Sequence, residues 1–280
     1  FGIQALRTSM QRFASRSRSV AQSPWRSSYG AVPMLRLRTW HPGGASSGRG
    51  RARAEVFLEA GGQVGLIARR ADRLEEMAGQ YPNAIPLPVD VTDAAGMEGA
   101  FDRFVQQAGR LDVLFNNAGM FGASGPIDEV PLESFDEVMN VNIRGMFICA
   151  RQAFHYMRRQ MPQGGRIINN GSLSAHNPRP GSVSYTTSKH AITGLTRTLS
   201  LDGRAFDIAC GQIDIGNAET DLVRDLNARI LAADPEAELM PTMDVAEAAR
   251  SVLHMAEMPP AANVQFMTVM ATKMPYIGRG

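Results

Sequence analysis

Tyr185 and Lys189 stand four positions apart in Tyr185-Thr-Thr-Ser-Lys189. On a helix that spacing puts a phenol and an ammonium on one face. A free tyrosine, with a pKa of about 10, is a poor acid or base at neutral pH. A neighbouring lysine cation favours the phenolate, so the pair can pass a proton to or from a substrate oxygen. Taken alone, the spacing equally describes an ordinary exposed helix face. Its surroundings narrow the choice. Ser172 precedes Tyr185 by 13 residues and closely follows the apolar run Arg166-Ile-Ile-Asn-Asn170. That places a hydroxyl at the carboxyl end of a strand, where α/β sheets bind ligands. Asn116-Asn-Ala-Gly119 follows a second apolar run, 111–115. Asn140-Val-Asn142 interrupts a long helical pattern, and Asn is a mediocre helix former.

These groups need elements to carry them, and the hydrophobic pattern supplies strands and helices in alternation. Strands are expected over 63–68, 84–89, 111–116, 165–170, 208–213 and 263–269. Helices are expected over 51–60, 71–79, 94–108, 132–161, 185–201 and 245–255. Short, nearly continuous apolar strands between amphipathic helices predict a parallel sheet covered on both faces. The fold class is therefore α/β, doubly wound, in a single domain over 43–280. No internal repeat is evident.

Composition removes several classes. The chain has 280 residues, 44% hydrophobic and 20% charged, with a net charge of +2. That is long enough for a sizeable core. No run of about 18 apolar residues occurs, so no membrane-spanning helix is expected. Cys149 and Cys210 form no CxxC pair and cannot make a disulfide framework. A reducing compartment fits, and a cytoplasmic location is expected. Residues 1–42 differ from the rest. Up to Ala54 the chain has ten Arg and no Asp or Glu. An organelle transit peptide, which would make the mitochondrion the second choice of location, a basic arm for nucleic acid, and a disordered extension or misread reading frame all fit. The last group is preferred. The aromatics there (Phe13, Trp25, Tyr29 and Trp40) are too sparse for base stacking, so no nucleic-acid partner is expected.

Asn116-Asn-Ala-Gly119, Asn142, Ser172 and Tyr185-x-x-x-Lys189, in this order and spacing, resemble the short-chain dehydrogenase/reductase family, from about residue 43 to the end. The resemblance implies a Rossmann-like sheet and hydride transfer between a nicotinamide cofactor and a carbonyl/alcohol pair. It implies Tyr185 as general acid/base, with Lys189 supporting it and holding the nicotinamide ribose. Ser172 would bind the substrate oxygen, and Asn142 would hold a water linking Lys189 to solvent. Asn117, Ala118 and Gly119 would border the cofactor. A homotetramer or homodimer is implied, joined through the helices over 132–161 and 185–201.

The cofactor half is less regular. Gly44, Ser46, Gly48 and Gly50 match the family's glycine-rich phosphate loop, where glycine lets the backbone approach a pyrophosphate at a helix N-terminus. Arg49 and Arg53 stand where apolar packing is expected, and Leu35-Arg-Leu-Arg-Thr-Trp40 alternates weakly for a first strand. These departures motivate a competing reading, a sheet protein that binds its cofactor poorly. After the strand over 63–68, Arg69 replaces the acid that would bind the ribose hydroxyls of NAD. A guanidinium suits the 2′-phosphate of NADP, so NADP is expected over NAD, with a solvated charge pair among its neighbours as the alternative reading of Arg69. Asp90 and Val91 match the adenine contact. Gly211 and Ile213 match the nicotinamide segment, in which Cys210 and Ile215 replace Pro and Thr. Cys210 reads as a buried apolar group. His176, near Ser172, either lines the pocket or has no role. The histidines show no metal spacing, and no metal is expected. The segment 217–240 should cover the substrate.

Overall fold

The computed structural model describes residues 35–39, 49–219 and 239–277, with isolated positions between 220 and 238; over 35–39 and 49–53 it describes the backbone alone. These residues belong to a compact unit, Met34–Gly280, and the preceding unit, Phe1–Pro33, lies outside them. Seven strands form one sheet: β1 (Leu35–Thr39), β2 (Gln63–Ala68), β3 (Ala84–Pro88), β4 (Val113–Asn116), β5 (Gly165–Asn170), β6 (Ile208–Ile215) and β9 (Phe266–Val269). Their order is β3-β2-β1-β4-β5-β6-β9, with every pairing parallel. The order reverses between β1 and β4. Ligands of such sheets bind outside the carboxyl ends of the strands at that switch.

Side chains alternate across the strands, so β2, β4 and β5 each feed two cores. Ile67, Leu114 and Ile167 point into one cluster with Phe101, Phe104, Cys149 and Met157. Their neighbours Leu66, Phe115 and Ile168 point into the other, with Phe57, Leu74, Val252 and Met255. Helices α3 (Ala94–Ala108) and α5 (Met146–Arg159) cover the first face; α1 (Arg49–Glu59), α2 (Ala71–Gln80) and α7 (Val245–Glu257) cover the second. Each large apolar side chain buried this way contributes roughly 1.5–3 kcal/mol. Asp93 caps α3 by accepting from the Gly96 N–H at 3.0 Å, and Gly109 ends the helix at φ 83°, a left-handed conformation that suits glycine.

Two differences from the sequence pattern bear on the site. The weakly alternating Leu35–Thr39 pairs with both β2 and β4, so the sheet begins ahead of residue 43. Its two neighbours supply the pairing that its own pattern does not advertise. The long helix over 132–161 is three pieces: α4 (Leu132–Met139), a π-helical segment Asn140–Gly145, and α5. Such wide turns recur at functional positions because they re-aim side chains. Here the segment carries Asn142. Gly145 ends it against Val91, whose side chain a Cβ at 145 would meet at 2.9 Å. The short strands β7 (Ala218–Glu219) and β8 (Met243–Asp244) pair in parallel and hold together the two ends of the segment expected over the substrate. Most of that segment lies outside the described residues.

Candidate active site

The sheet's carboxyl edge brings the four expected polar residues together from three elements. Tyr185 and Lys189 lie on α6 (Val183–Asp202). Lys189 is buried at 2% exposure, and its Nζ donates to the Asn170 carbonyl at the end of β5, 2.8 Å away. The same Nζ lies 5.5 Å from the centroid of the Tyr185 ring. That places a cation beside a half-buried phenol, as the spacing predicted. Phe121 packs against this ring, with centroids 4.4 Å apart and planes tilted by 35°. Phe121 is itself 60% exposed. An isolated aromatic after Gly119 gave no sequence signal of this contact.

Asn142 is fully buried and acts as a cross-link. Its Oδ1 accepts from the Met120 N–H at 2.8 Å, and its Nδ2 donates to the Met120 carbonyl and to Ser188 Oγ, each at 2.9 Å. Ser188 Oγ in turn donates to the Tyr185 carbonyl at 2.7 Å. The π-segment is thus stitched both to the loop after β4 and to the helix that carries Tyr185. Gly119 lies against both residues: a Cβ there would be in ordinary contact with Asn142 Oδ1 at 3.4 Å and Lys189 Nζ at 3.7 Å. Asn140, by contrast, is an exposed local partner of Arg144.

Ser172 follows β5 and caps the short turn Leu173–Ala175. Its Oγ accepts from the Ser174 N–H at 3.1 Å, which leaves its own hydroxyl hydrogen to donate elsewhere. Its backbone N–H donates to Asp214 Oδ1 at 2.8 Å. Asp214 also meets His176, Nε2 to Oδ2, at 2.9 Å. Sequence spacing gave no sign of this pairing across 38 positions.

The remaining expected contacts divide by exposure. Asn117 Oδ1 accepts from Asn170 Nδ2 at 2.9 Å. Asn170 Oδ1 is buried and has no partner among the described residues. Buried polar atoms are nearly always satisfied, so a ligand carrying N–H or O–H donors fits there; a nicotinamide ribose or carboxamide is such a ligand. Ala118, Val91, Gly211 and Ile213 are buried, so what they offer a cofactor is backbone. Gly211 has a packing reason as well, since a Cβ there would overlap the Val264 carbonyl. Asp90 Oδ1 accepts from the Thr92 N–H and hydroxyl at 2.9 and 2.8 Å. Its Oδ2 lies 3.8 Å from Arg69 Nη1, with the two side chains 49% and 31% exposed, Arg69 the more so. Gly50 lies in the first turn of α1; Gly44, Ser46 and Gly48 lie outside the described residues, as do the side chains of Arg49 and Arg53. Burial pushes the Cys210 thiol up to about 12, which makes it an apolar filler. Among the described residues no group of His, Cys, Asp and Glu could hold a metal ion, and no helix is long and apolar enough to cross a membrane.

Residues 43–230 match the family described as short chain dehydrogenase. The chain is 35% identical over 218 residues to 2-(R)-hydroxypropyl-CoM dehydrogenase of Xanthobacter autotrophicus, covering 73% of this chain and 86% of that protein. Among solved structures, 3-ketoacyl-(acyl-carrier-protein) reductase from Brucella melitensis, complexed with NADH, superposes with a TM-score of 0.73 at 23% identity, covering 85% of this chain and 96% of that one. ElxO with NADP bound superposes at 0.75 with 24% identity, covering 85% and 97%.

Proposed function

The chain belongs to the short-chain dehydrogenase family of oxidoreductases, and from that membership we propose that it moves a hydride between NADP(H) and a carbonyl/secondary alcohol pair, with Tyr185 as general acid/base. The carrying observation is the buried Lys189 ammonium beside the Tyr185 ring. When bound, the nicotinamide supplies or accepts the hydride. Everything else falls to the chain's own residues.

For reduction, Tyr185 donates its phenolic proton to the substrate oxygen, and Lys189 stabilises the phenolate left behind. Ser172 donates its free hydroxyl hydrogen to the same oxygen, where negative charge develops. Asn142 holds the Met120 loop against α6 and so fixes where the substrate and cofactor walls stand. Phe121 gives the substrate an apolar wall beside Tyr185.

At the far end of the cofactor, Arg69 is the proposed partner of the NADP 2′-phosphate. Its exposed pairing with Asp90 is worth only about 0–1 kcal/mol, so the guanidinium can be re-aimed at a phosphate. The glycine-rich loop, with Gly44, Ser46, Gly48 and Gly50, is the proposed pyrophosphate cradle. A homo-oligomer completes the reading. A cleft of about 490 Å³ between α5 and α6 is lined by Phe147, Phe154, Leu195, Leu199 and Phe206, among others. The exposed Phe147 on α5 and Leu201 on α6 add apolar surface for a second copy. Light scattering at micromolar concentration should give a dimer or tetramer mass; a monomer mass contradicts the interface.

Titration of the purified chain with NADPH and NADH, alongside a panel of carbonyl substrates, tests the function itself. Tighter NADPH binding and NADPH oxidation with at least one carbonyl are expected. Binding of neither cofactor contradicts the proposal.

A further inference from the structure

Ser172 and Tyr185 must meet on one substrate oxygen, yet one follows β5 and the other rides on α6. Between them runs a buried polar chain. Asp214, on β6, is 1% exposed. Its Oδ1 accepts from the Ser172 N–H and from Gln212 Nε2, both at 2.8 Å, and its Oδ2 takes His176. Gln212, fully buried, also donates to Thr193 Oγ1 at 3.2 Å and accepts from Thr196 Oγ1 at 3.3 Å. Thr193 and Thr196 continue the α6 face that holds Tyr185 and Lys189, since steps of three and four residues stay on one side of a helix. Gly171 brings the backbone up against this carboxylate, and a Cβ there would overlap Asp214 Oδ1.

We propose that Asp214 is a positioning residue: through Gln212 it registers the Ser172 backbone against α6, and so sets Ser172 relative to Tyr185. A carboxylate is tolerated in the interior only when hydrogen-bonded, and this one spends its acceptors on three donors, one of them Gln212, which leads on to α6. Two come from the Ser172 turn itself. An aliphatic residue would fill the space without holding either end. The inference rests on the reading of Ser172 and Tyr185 given above.

A double-mutant cycle on kcat separates the two claims. Ser172→Ala alone tests the underlying reading; full turnover in S172A means Ser172 does not bind the substrate oxygen. Given a loss there, Asp214→Leu should lower kcat by up to about 100-fold, the cost of a misplaced group near the reaction, while NADPH affinity stays unchanged. Asp214→Asn, which keeps an oxygen for the Ser172 N–H, should recover most of that loss. In the S172A background D214L should cost nothing further, because the group it positions is already gone. Equal losses in both backgrounds, or no loss in either, overturn the proposal. If D214L does not fold, His176→Leu at its exposed position takes its place. It removes one donor from the carboxylate and should lower kcat roughly threefold or more in the parent and not in S172A. An equal effect in both backgrounds overturns the proposal in the same way.

Discussion

The two ends of the proposed cofactor path differ in how far they stand from solvent. At the end of β5, Asn142, Lys189 and Ser172 are 0%, 2% and 5% exposed, and the bonds described for Asn142 and Lys189 run to protein atoms. Beyond β2, Arg69 and Asp90 stand half in solvent and meet at 3.8 Å. At the first end the fold encloses the polar groups, and the proposed chemistry there depends on their distances. At the second end the proposed choice between NADP and NAD would rest on an exposed charge, which can change without disturbing the core. Changes at the inner end should therefore cost rate and stability together, and changes at the outer end should alter preference alone.

The largest effect belongs to the inner end. Tyr185→Phe should lower kcat by about 10²–10⁴-fold, the worth of a positioned acid/base, with NADPH affinity retained in a fluorescence titration. A variant that keeps most of its kcat removes Tyr185 from the mechanism. Asn142→Leu should come next and should show both costs. It strips partners from the Met120 N–H and carbonyl, at about 1–3 kcal/mol for each polar group left buried and unsatisfied. A domain of this class loses about 2–4 °C of Tm per kcal/mol, so calorimetry should show a drop of several degrees together with reduced turnover. An unchanged Tm would mean that the cross-link carries no load.

Arg69→Asp probes the outer end. A charge-assisted bond to phosphate is worth about 1.5–3 kcal/mol, so the NADPH-to-NADH preference should fall roughly 10-fold or more while Tm stays put. An unchanged ratio would show that Arg69 does no more than pair with Asp90. The smallest effect concerns the thiols. Burial raises both Cys149 and Cys210, the latter to about 12. At pH 8 both stay protonated, and only a thiolate attacks a disulfide reagent. Ellman titration of the native chain should release no thiolate, and the denatured chain should release two. Fast reaction of either in the native state contradicts the enclosed interior.

How much of this was legible in the sequence follows the same division. Tyr185 and Lys189 were readable because a helix fixes side chains four apart. The strand ends carrying Asn116–Gly119 and Ser172 were readable because buried parallel strands are nearly continuous apolar runs. The π-segment was not. Asn140-Val-Asn142 looks like a weak helix from local preference, and the bonds to Met120 and Ser188 that accompany its wide turn are tertiary. Leu35–Thr39 looked poor as a strand because its two arginines break the apolar run, whereas its place between β2 and β4 is a property of the whole sheet. The Asp214 and His176 contact joins residues with no spacing rule between them. Periodicity reports which face a residue is on; it is silent about which distant residue it meets.

The account stands or falls on hydride transfer by the chain itself. Incubating it with NADPH deuterated at the transferable C4 position, together with a panel of ketones and aldehydes, and analysing the products by mass spectrometry reads that event directly. The account predicts deuterium on the carbinol carbon of at least one alcohol product, formed at least about 100-fold more slowly by the Y185F variant. NADPH bound at saturation with no labelled alcohol from any carbonyl in the panel would contradict it.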